Sequence, residues 1–332
     1  MAGTVDIALL SLGTTPGLRR ADAALAEQIR AAGATCEVVP VRIGRGAGAL
    51  RRHAAVTDLV EALAAHLAVR DVDARAWIFS SVTAALLQRE PQVPWAVRFD
   101  STAALNRPGA AGAWQRARER RVLERASLRL PWGERSGASG LVVRVAVEEI
   151  AGAAERDVDA IAYAGYPRKR GLDLLCAAWA RASRQGERLV VGGVDRERAL
   201  RWLERCGVPE PPGVEWPGLL PREEWLVLVG RARVFVNASR REDYGLAQLE
   251  ALAAGCALVT VPSPGPYEAL PMARELAPQL VSDDLATALR AGLDLADRDA
   301  YAARARELLA PFRPDAVEQV VAGELLPALG VR

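Results

Sequence analysis

Short apolar runs alternate with longer stretches of helical periodicity in the first half of the sequence. The apolar runs predict strands at Val5–Leu12, Glu37–Val41, Ala76–Phe79, Trp95–Phe99 and Leu141–Val147. Apolar positions at helical spacing predict helices at Arg19–Ala32, Arg52–Val69, Val82–Gln88 and Trp114–Ala126. Strands that alternate with helices favour a parallel sheet covered on both faces, so we expect an α/β domain.

The second half repeats this alternation after a polar stretch at 148–159, EEIAGAAERDVD. It predicts strands at Ala160–Ala164, Leu189–Gly192, Val234–Asn237, Ala257–Val261 and Leu280–Val281, and helices at Leu172–Arg184, Arg196–Cys206, Arg222–Gly230, Leu246–Ala254 and Asp284–Leu295. We expect two Rossmann-like α/β domains facing each other across a cleft, at 1–148 and 149–310. A further helical segment is predicted at 311–332.

Composition narrows the class of partner. The 332 residues, 51% of them hydrophobic, are enough for two cores. Charges nearly cancel, with 43 basic against 41 acidic residues, so we expect small-molecule partners and no nucleic acid. The four cysteines lack metal-ligand spacing and predict free thiols in a reducing compartment. The first apolar run contains Asp6 and follows no basic leader, so we predict a cytoplasmic protein without a transmembrane segment, of open oligomeric state.

Three adjacent cations stand between two glycines directly after a predicted strand of the second half. The segment Gly165-Tyr-Pro-Arg168-Lys169-Arg170-Gly171 then leads into a predicted helix. Cations beside a helix N-terminus suit a diphosphate, because point charge, planar donors and free amides converge there. A solvated basic loop is the alternative. We favour phosphate, because Lys169 is the one lysine of the chain.

Two carboxylates mark a second loop and helix start, within 239–261. Seven residues separate Glu242 from Glu250, and we place Glu242 in the loop, Gly245 and Leu246 at the helix N-terminus, and Glu250 about one turn inside. The free amides attract phosphate, and a carboxylate slightly further on accepts hydrogen bonds from sugar hydroxyls. This geometry suits a nucleotide-sugar. The alternative is that both acids are ordinary dipole partners or part of a solvated face.

Two polar segments follow predicted strands of the first half. Gly13 and Gly17 flank the first strand-to-helix turn, where a ligand contact and a tight turn explain the glycines equally well. The second segment is a polar run after the strand at 95–99. It contains Arg98, Asp100, Ser101, Thr102 and Asn106. We interpret it as facing an acceptor, with a helix-capping loop as the alternative.

These residues together resemble the donor half of GT-B glycosyltransferases, specifically the large retaining group called family four. The family has a glycine and basic residues before a helix, then a strand ending in Gly-Gly, then the motif E-x-F-G-L-x-x-x-E-A-x-A-x-G-x-P-V. The segments at 165–175, 189–193 and 242–259 follow that pattern in order. The rest of the chain resembles the family in architecture alone. The resemblance implies that the segment at 311–332 crosses back to the first domain, with an ordinary packing helix as the alternative.

The resemblance implies roles for individual residues. Glu250 would bind the ribose hydroxyls and Glu242 would lie under the transferred sugar. Arg168 and Arg170 would neutralise the diphosphate, with Lys169 able to substitute for one of them. Amides around two further residues, Gly245 and Leu246, would hold the distal phosphate or the sugar. Tyr244 stands where the family often has phenylalanine.

The predicted site therefore has three sets of residues. The catalytic set is Glu242, Arg170, Lys169 and Asp100. The donor-binding set is Gly165, Arg168, Lys169, Arg170, Glu242, Tyr244, Gly245, Leu246, Glu250, Gly13 and Gly17. The acceptor-binding set is Arg98, Asp100, Ser101 and Asn106. The first domain of the family commonly supplies a histidine at a strand end, whereas Ser80-Ser81 and Arg98-Phe-Asp100 occupy the comparable positions here.

From the residues and the resemblance we predict a retaining glycosyltransferase that moves a hexosyl group from a UDP- or GDP-sugar to an unidentified acceptor. We expect no cofactor and no metal, since Asp283-Asp284 are adjacent rather than spaced as Asp-x-Asp. A catalytically silent nucleotide-sugar-binding protein and a sugar-nucleotide epimerase are the alternatives. A dinucleotide oxidoreductase is disfavoured because no G-x-G-x-x-G follows the first strand.

Overall fold

The structure, a computed structural model, describes residues 4–43, 54–69, 72–153 and 155–331. Backbone contacts divide the chain into two compact units. The first comprises 1–146 and 311–332, and the second 147–310. Residues 52 and 53 of the predicted helix Arg52–Val69 lie outside the described residues.

The first unit contains a five-stranded parallel sheet covered by helices. Its strands are β1 (Val5–Ser11), β2 (Cys36–Pro40), β3 (Ala74–Phe79), β4 (Trp95–Phe99) and β5 (Leu128–Pro131). Its helices are α1 (Pro16–Ala31), α2 (Ala54–Ala68), α3 (Val82–Ala85), α4 (Ala103–Asn106) and α5 (Ala113–Arg125). The strand order β2-β1-β3-β4-β5 puts the reversal of strand order between β1 and β3, where sheets of this kind bind ligands.

The C-terminal segment completes the core of the first unit. After a 3₁₀ turn at Ala310–Phe312 come α13 (Pro314–Val320), a π-helical turn (Val321–Leu325) and α14 (Leu326–Ala328). Val317, Val321 and Leu325 are buried in one apolar cluster with Ile7, Ile29 and other residues of β1 and α1. The apolar stripe of this segment thus packs on the N-terminal sheet.

The second unit has the same plan with its own five-stranded parallel sheet. Its strands are β6 (Val158–Tyr163), β7 (Leu189–Gly192), β8 (Val214–Gly218), β9 (Ala232–Asn237) and β10 (Ala257–Thr260). Its helices are α6 (Leu172–Ala182), α7 (Arg196–Cys206), α8 (Arg222–Arg231), α9 (Leu246–Ala253), α10 (Ala269–Leu276), α11 (Leu285–Leu293) and α12 (Arg298–Leu308). The order β10-β9-β6-β7-β8 reverses between β6 and β9, so the loops after these two strands open at the reversal point.

The structure corrects two predicted strands and contains two strands, β5 and β8, that the sequence did not predict. Residues 141–147 are not a strand, although the backbone of Leu141 and Val143 hydrogen-bonds to β5, which the sequence did not predict. Leu280–Val281 makes one isolated bridge, from Val281 to Thr260, because Leu280 closes a 3₁₀ turn. The strand β8 was also missed, since its run VEWPG is interrupted by proline.

Candidate active site

Two loops converge at the carboxyl edge of the second sheet. The loop at 164–171 joins β6 to α6, and the loop at 238–245 joins β9 to α9. Because β6 and β9 are hydrogen-bonded neighbours, both loops leave the sheet side by side. The amide of Arg240 donates to the carbonyl of Lys169 at 2.9 Å, and the Arg240 guanidinium donates to the carbonyl of Arg168 at 2.9 Å. The two predicted segments therefore form one site.

A glycine permits this close approach. Gly171 has φ +61°, in the left-handed region, and a Cβ there would lie 2.0 Å from the carbonyl oxygen of Ala238. No side chain caps α6, which begins at the next residue, Leu172. The amino end of α6 is thus held directly against the loop that carries the carboxylates.

Arg170 and Glu242 meet in the middle of the site. Nη1 of Arg170 donates to the carboxylate of Glu242, which also accepts from Nε2 of Gln248 at 3.0 Å. The Glu242 side chain is 5% exposed and the Arg170 side chain 22%. The Arg170 guanidinium lies 5.9 Å from the ring of Tyr163, and its Nε is buried without a hydrogen-bond partner among the described residues. The site therefore holds a cation whose position is fixed by Glu242 and Tyr163.

The other two cations of the loop have different surroundings. Lys169 donates to Asp243 at 2.9 Å, and Arg241 donates to the same carboxylate at 2.9 Å. Burial alone raises the pKa of Asp243, but these two cations outweigh it and leave the pKa lowered. Arg168 is exposed and makes no side-chain hydrogen bond or ion pair with the described part of the chain. Arg168 is available to a ligand, whereas Lys169 must first leave Asp243.

Asp173, in the first turn of α6, connects this helix to the loop at 238–245. It accepts from both terminal nitrogens of Arg240, at 3.0 and 2.5 Å, and from Nε1 of Trp202 at 3.2 Å. Burial raises the pKa of Asp173, yet the hydrogen bonds from Arg240 and Trp202 leave it lowered overall. Sequence reasoning missed this pair, because 67 residues separate its members.

The helix α9 begins as the spacing predicted. Leu246 is its first residue, and Gly245 precedes it with φ +90° and no side-chain cap. A Cβ on Gly245 would lie 2.7 Å from the ring of Tyr267, which is fully buried. Tyr244 is 4% exposed, so its ring belongs to the core under the loop. The predicted contact of Tyr244 with a donor is limited to its backbone in this conformation.

Glu250 lies one turn into α9 and is paired with a residue that the sequence did not suggest. Nη2 of Arg222, the first residue of α8, lies 2.9 Å from Oε1 of Glu250. The Glu250 side chain is 6% exposed. Glu250 and Glu242 are thus both buried carboxylates, and each is paired with an arginine from a different loop or helix.

Polar residues also line the strand reversal of the first unit. Gly13 follows β1 with φ +54°, and Oγ of Ser80, at the end of β3, accepts from the amide of Leu12 at 3.0 Å. Gly17 is the second residue of α1, is exposed, and follows the capping residue Thr15. Gly13 and Gly17 thus lie at this edge of the first sheet.

The predicted acceptor set divides into buried and accessible members. Arg98 has no exposed surface, and its Nη1 donates to the carbonyl of Ala21 at 2.8 Å. A side chain without exposed surface cannot contact an acceptor in this conformation, so we correct its role to that of a core residue. Ser101 is 5% exposed, whereas Asp100 and Asn106 are partly exposed. Of this set, Asp100 and Asn106 are the side chains that a molecule can reach.

The described residues contain neither a metal-binding cluster nor a helix that could span a membrane. No group of three histidine, cysteine, aspartate or glutamate side chains is arranged to hold a metal ion in the described ranges. None of the helices found in those ranges combines the length and apolarity needed to cross a membrane. Of the cysteines, Cys36, Cys176 and Cys256 are buried free thiols, whereas Cys206 is exposed.

The second unit, which holds this site, matches a known family model. Residues 158–295 match the family model described as glycosyl transferases group 1. The match spans β6 to α11 and includes both loops of the site. A search of curated protein sequences found no match.

Solved structures match the fold over nearly the whole chain. Sucrose-phosphate synthase from Thermosynechococcus elongatus is 17% identical with a TM-score of 0.76, covering 98% of this chain and 99% of that one. Anabaena HepE, solved with UDP and glucose, is 14% identical with a TM-score of 0.65 over 97% and 99%. WaaG, a glycosyltransferase of lipopolysaccharide biosynthesis, is 15% identical with a TM-score of 0.62 over 96% and 100%. The chain therefore has the GT-B fold of these structures, and its second unit matches the glycosyl transferases group 1 model over residues 158–295.

Proposed function

We propose that this protein is a glycosyltransferase that transfers a hexosyl group from a nucleotide-diphospho-sugar, with retention of anomeric configuration. The observation that carries the proposal is the pairing of Arg170 with buried Glu242 at the uncapped N-terminus of α9. A diphosphate bound there meets a fixed guanidinium, free helix amides and the positive end of a helix dipole. UDP and glucose in the HepE structure support a UDP-sugar as the donor to be tested first.

In this proposal, different residues contact different parts of the nucleotide-sugar. Arg170 and Arg168 neutralise the diphosphate, through the partly exposed guanidinium of Arg170 and the exposed one of Arg168. The amides of Gly245 and Leu246 hold the distal phosphate or the sugar. Glu250 accepts hydrogen bonds from ribose hydroxyls, and Glu242 lies under the transferred sugar.

The reaction breaks the bond between the anomeric carbon and the phosphate oxygen and forms a bond from that carbon to an acceptor oxygen. Negative charge develops on the leaving diphosphate, and preorganised cations stabilise it. The acceptor hydroxyl loses its proton to the departing phosphate oxygen on the same face of the sugar. Arg170 suits this task because Glu242 and Tyr163 fix its guanidinium before the donor arrives.

The cations of the loop at 164–171 take the place that a metal has in other glycosyltransferases, so we propose that transfer is independent of added metal. Asp100 and Asn106 are the residues we propose for acceptor contact in the first unit. A cytoplasmic location stays a prediction.

A donor screen tests the proposal. The purified chain is incubated with UDP-, GDP-, ADP- and dTDP-glucose, with and without EDTA, and release of the nucleoside diphosphate is measured. We expect one donor to be hydrolysed or transferred at a rate that EDTA does not change. Tight donor binding without turnover on a broad acceptor panel would contradict the proposal and favour a silent nucleotide-sugar-binding protein.

A further inference from the structure

Arg222 and Glu250 form a pair that helix stability alone does not explain. Nη2 of Arg222 lies 2.9 Å from Oε1 of Glu250, and the side chains are 35% and 6% exposed. Arg222 belongs to α8 and Glu250 to α9, so the pair joins two separate strand-helix units of the sheet. A carboxylate this deeply buried requires a cation or donors to stay charged.

The position of Arg222 in its helix is unfavourable by itself. It is the first residue of α8, where the helix dipole presents its positive end, and Pro221 before it provides no side-chain cap. Glu223 and Glu224, the next residues, are the charges that this end of a helix favours. A cation at the first position is therefore accounted for by its partner Glu250 rather than by α8.

The first turn of α8 also belongs to the carboxyl edge that holds the donor site. Trp225 packs against Gly192 at the end of β7, where a Cβ would lie 2.5 Å from its ring. The Trp225 ring meets that of Tyr163 edge-on, with centroids 5.7 Å apart, and Tyr163 lies under the Arg170 guanidinium. A continuous set of contacts thus runs from α8 to the proposed diphosphate site.

We propose that Arg222 is a positioning residue for the donor: it fixes the carboxylate of Glu250 so that the ribose hydroxyls can donate to it. This inference rests on the proposed function, in which Glu250 contacts ribose. Arg222 acts through Glu250, so its effect on binding depends on the hydroxyls that Glu250 accepts from. The enzyme then selects ribonucleotide donors over donors that lack the 2′- and 3′-hydroxyls.

The test compares two ligands by isothermal titration calorimetry on the full chain. The ligands are UDP and 2′,3′-dideoxyuridine diphosphate, with GDP and ADP as further ribonucleotides. Arg222→Gln should weaken UDP binding about tenfold, the value of one hydrogen bond to a charged group, and change binding of the dideoxy ligand less than about twofold. The double variant Arg222→Gln with Glu250→Gln should bind UDP no more weakly than Glu250→Gln alone, because the two residues act as one unit.

A matched control separates this effect from a general loss of charge. Arg196 is likewise the first residue of its helix, α7, and is paired with Glu210 at 2.6 Å. Arg196→Gln should leave the affinity for both ligands unchanged. If Arg222→Gln does not fold, Arg222→Lys is measured instead, and its loss should again be confined to UDP.

The outcomes separate the role of Arg222 from the existence of the donor site. Equal losses for both ligands, or no loss for either, would overturn the role of Arg222 while leaving the donor site in place. Failure of the unaltered protein to bind UDP, GDP or ADP would overturn the proposed function and this inference with it.

Discussion

Arg170 donates a hydrogen bond to Glu242, 72 residues further along the chain, and this contact brings together the two loops of the site. The pair lies at the reversal of strand order between β6 and β9, where loops from neighbouring strands diverge. A bound diphosphate would meet a cation whose position is already fixed. The contact therefore fixes the position of the cation that we propose stabilises the leaving diphosphate.

Replacing Arg170 by alanine should lower turnover more than donor affinity. In the proposed mechanism the guanidinium stabilises the charge that develops as the diphosphate leaves, and loss of one preorganised donor lowers kcat by about 100-fold. Steady-state kinetics with the donor identified by the screen give kcat and KM separately. Arg170→Lys retains a charge near Glu242 and should recover part of the rate. A tenfold or greater rise in donor KM with unchanged kcat would contradict the proposed role.

Gly171 and Gly207 provide a matched test of how closely the two loops approach. Both have left-handed backbone, with φ +61° and +68°, but a Cβ on Gly207 would meet nothing within 4 Å. Gly207→Ala should lower the free energy of unfolding by about 1 kcal/mol, the cost of the backbone conformation alone. Gly171→Ala should cost about 3 kcal/mol more, because its Cβ would overlap the Ala238 carbonyl.

Chemical denaturation of the two glycine variants measures this difference. Donor binding by Gly171→Ala provides a second readout, since displacing the loop at 164–171 also displaces Arg170. Equal unfolding free energies for the two variants would show that the loops separate without cost.

The sequence predicted those parts of the site that depend on local pattern. Glycines and cations predicted the loop at 164–171, and the carboxylate spacing predicted the loop at 238–245. The start of α9 at Leu246 followed from the apolar periodicity. The alternation of strands and helices was enough to predict the fold class, because the apolar pattern of a strand or a helix depends only on residues that are close in sequence. The strands it missed, β5 and β8, are short edge strands with proline, where local pattern is weak.

Contacts between distant segments had no such local signal. Arg222 precedes Glu250 by many residues in a sequence rich in arginine, so nothing in its neighbourhood marks it as the partner. Arg98 was assigned to the surface because polar residues follow it, yet its side chain turns inward to Ala21 and Asp22. The direction of a side chain at a strand end depends on tertiary packing, which the pattern of one segment does not contain.

Arg98 should therefore affect stability rather than acceptor binding. Its Nη1 lies 3.8 Å from Oδ1 of Asp22, and its guanidinium lies 4.8 Å from the ring of Trp132. Burial raises the pKa of Asp22 to about 6, although Arg98 and a hydrogen bond from Ser11 oppose the shift. Arg98→Met should lower the free energy of unfolding by about 3 kcal/mol, because it leaves a buried carboxylate without its cation.

The double variant Arg98→Met with Asp22→Asn separates this electrostatic cost from a loss of packing. Removing both charges should recover part of the stability measured by denaturation. The KM for an identified acceptor should stay the same in any variant that folds. A change in acceptor KM at unaltered stability would instead return Arg98 to the acceptor site.

Glu119 should make the stability of the first unit depend on pH. Burial raises the pKa of Glu119 from 4.5 to about 7, although the amide of Ala103, which donates to it at 2.7 Å, and Arg107 oppose the shift and Asp58 adds to it. A raised pKa means that the folded state binds the proton more tightly than the unfolded state. The stabilisation is therefore complete below the unfolded value near 4.5 and is lost as pH rises through about 7.

Replacing Glu119 by glutamine removes this titration while keeping an oxygen that accepts from the Ala103 amide. Relative to the unaltered protein, Glu119→Gln should gain about 2 kcal/mol of unfolding free energy between about pH 5 and pH 8. Denaturation at a series of pH values measures the difference. Glu124→Gln, an exposed change on the same helix α5, should leave the pH profile unchanged. Parallel profiles for Glu119→Gln and the unaltered protein would mean that Glu119 is ionised across this range, because only a proton held in the folded state produces the slope.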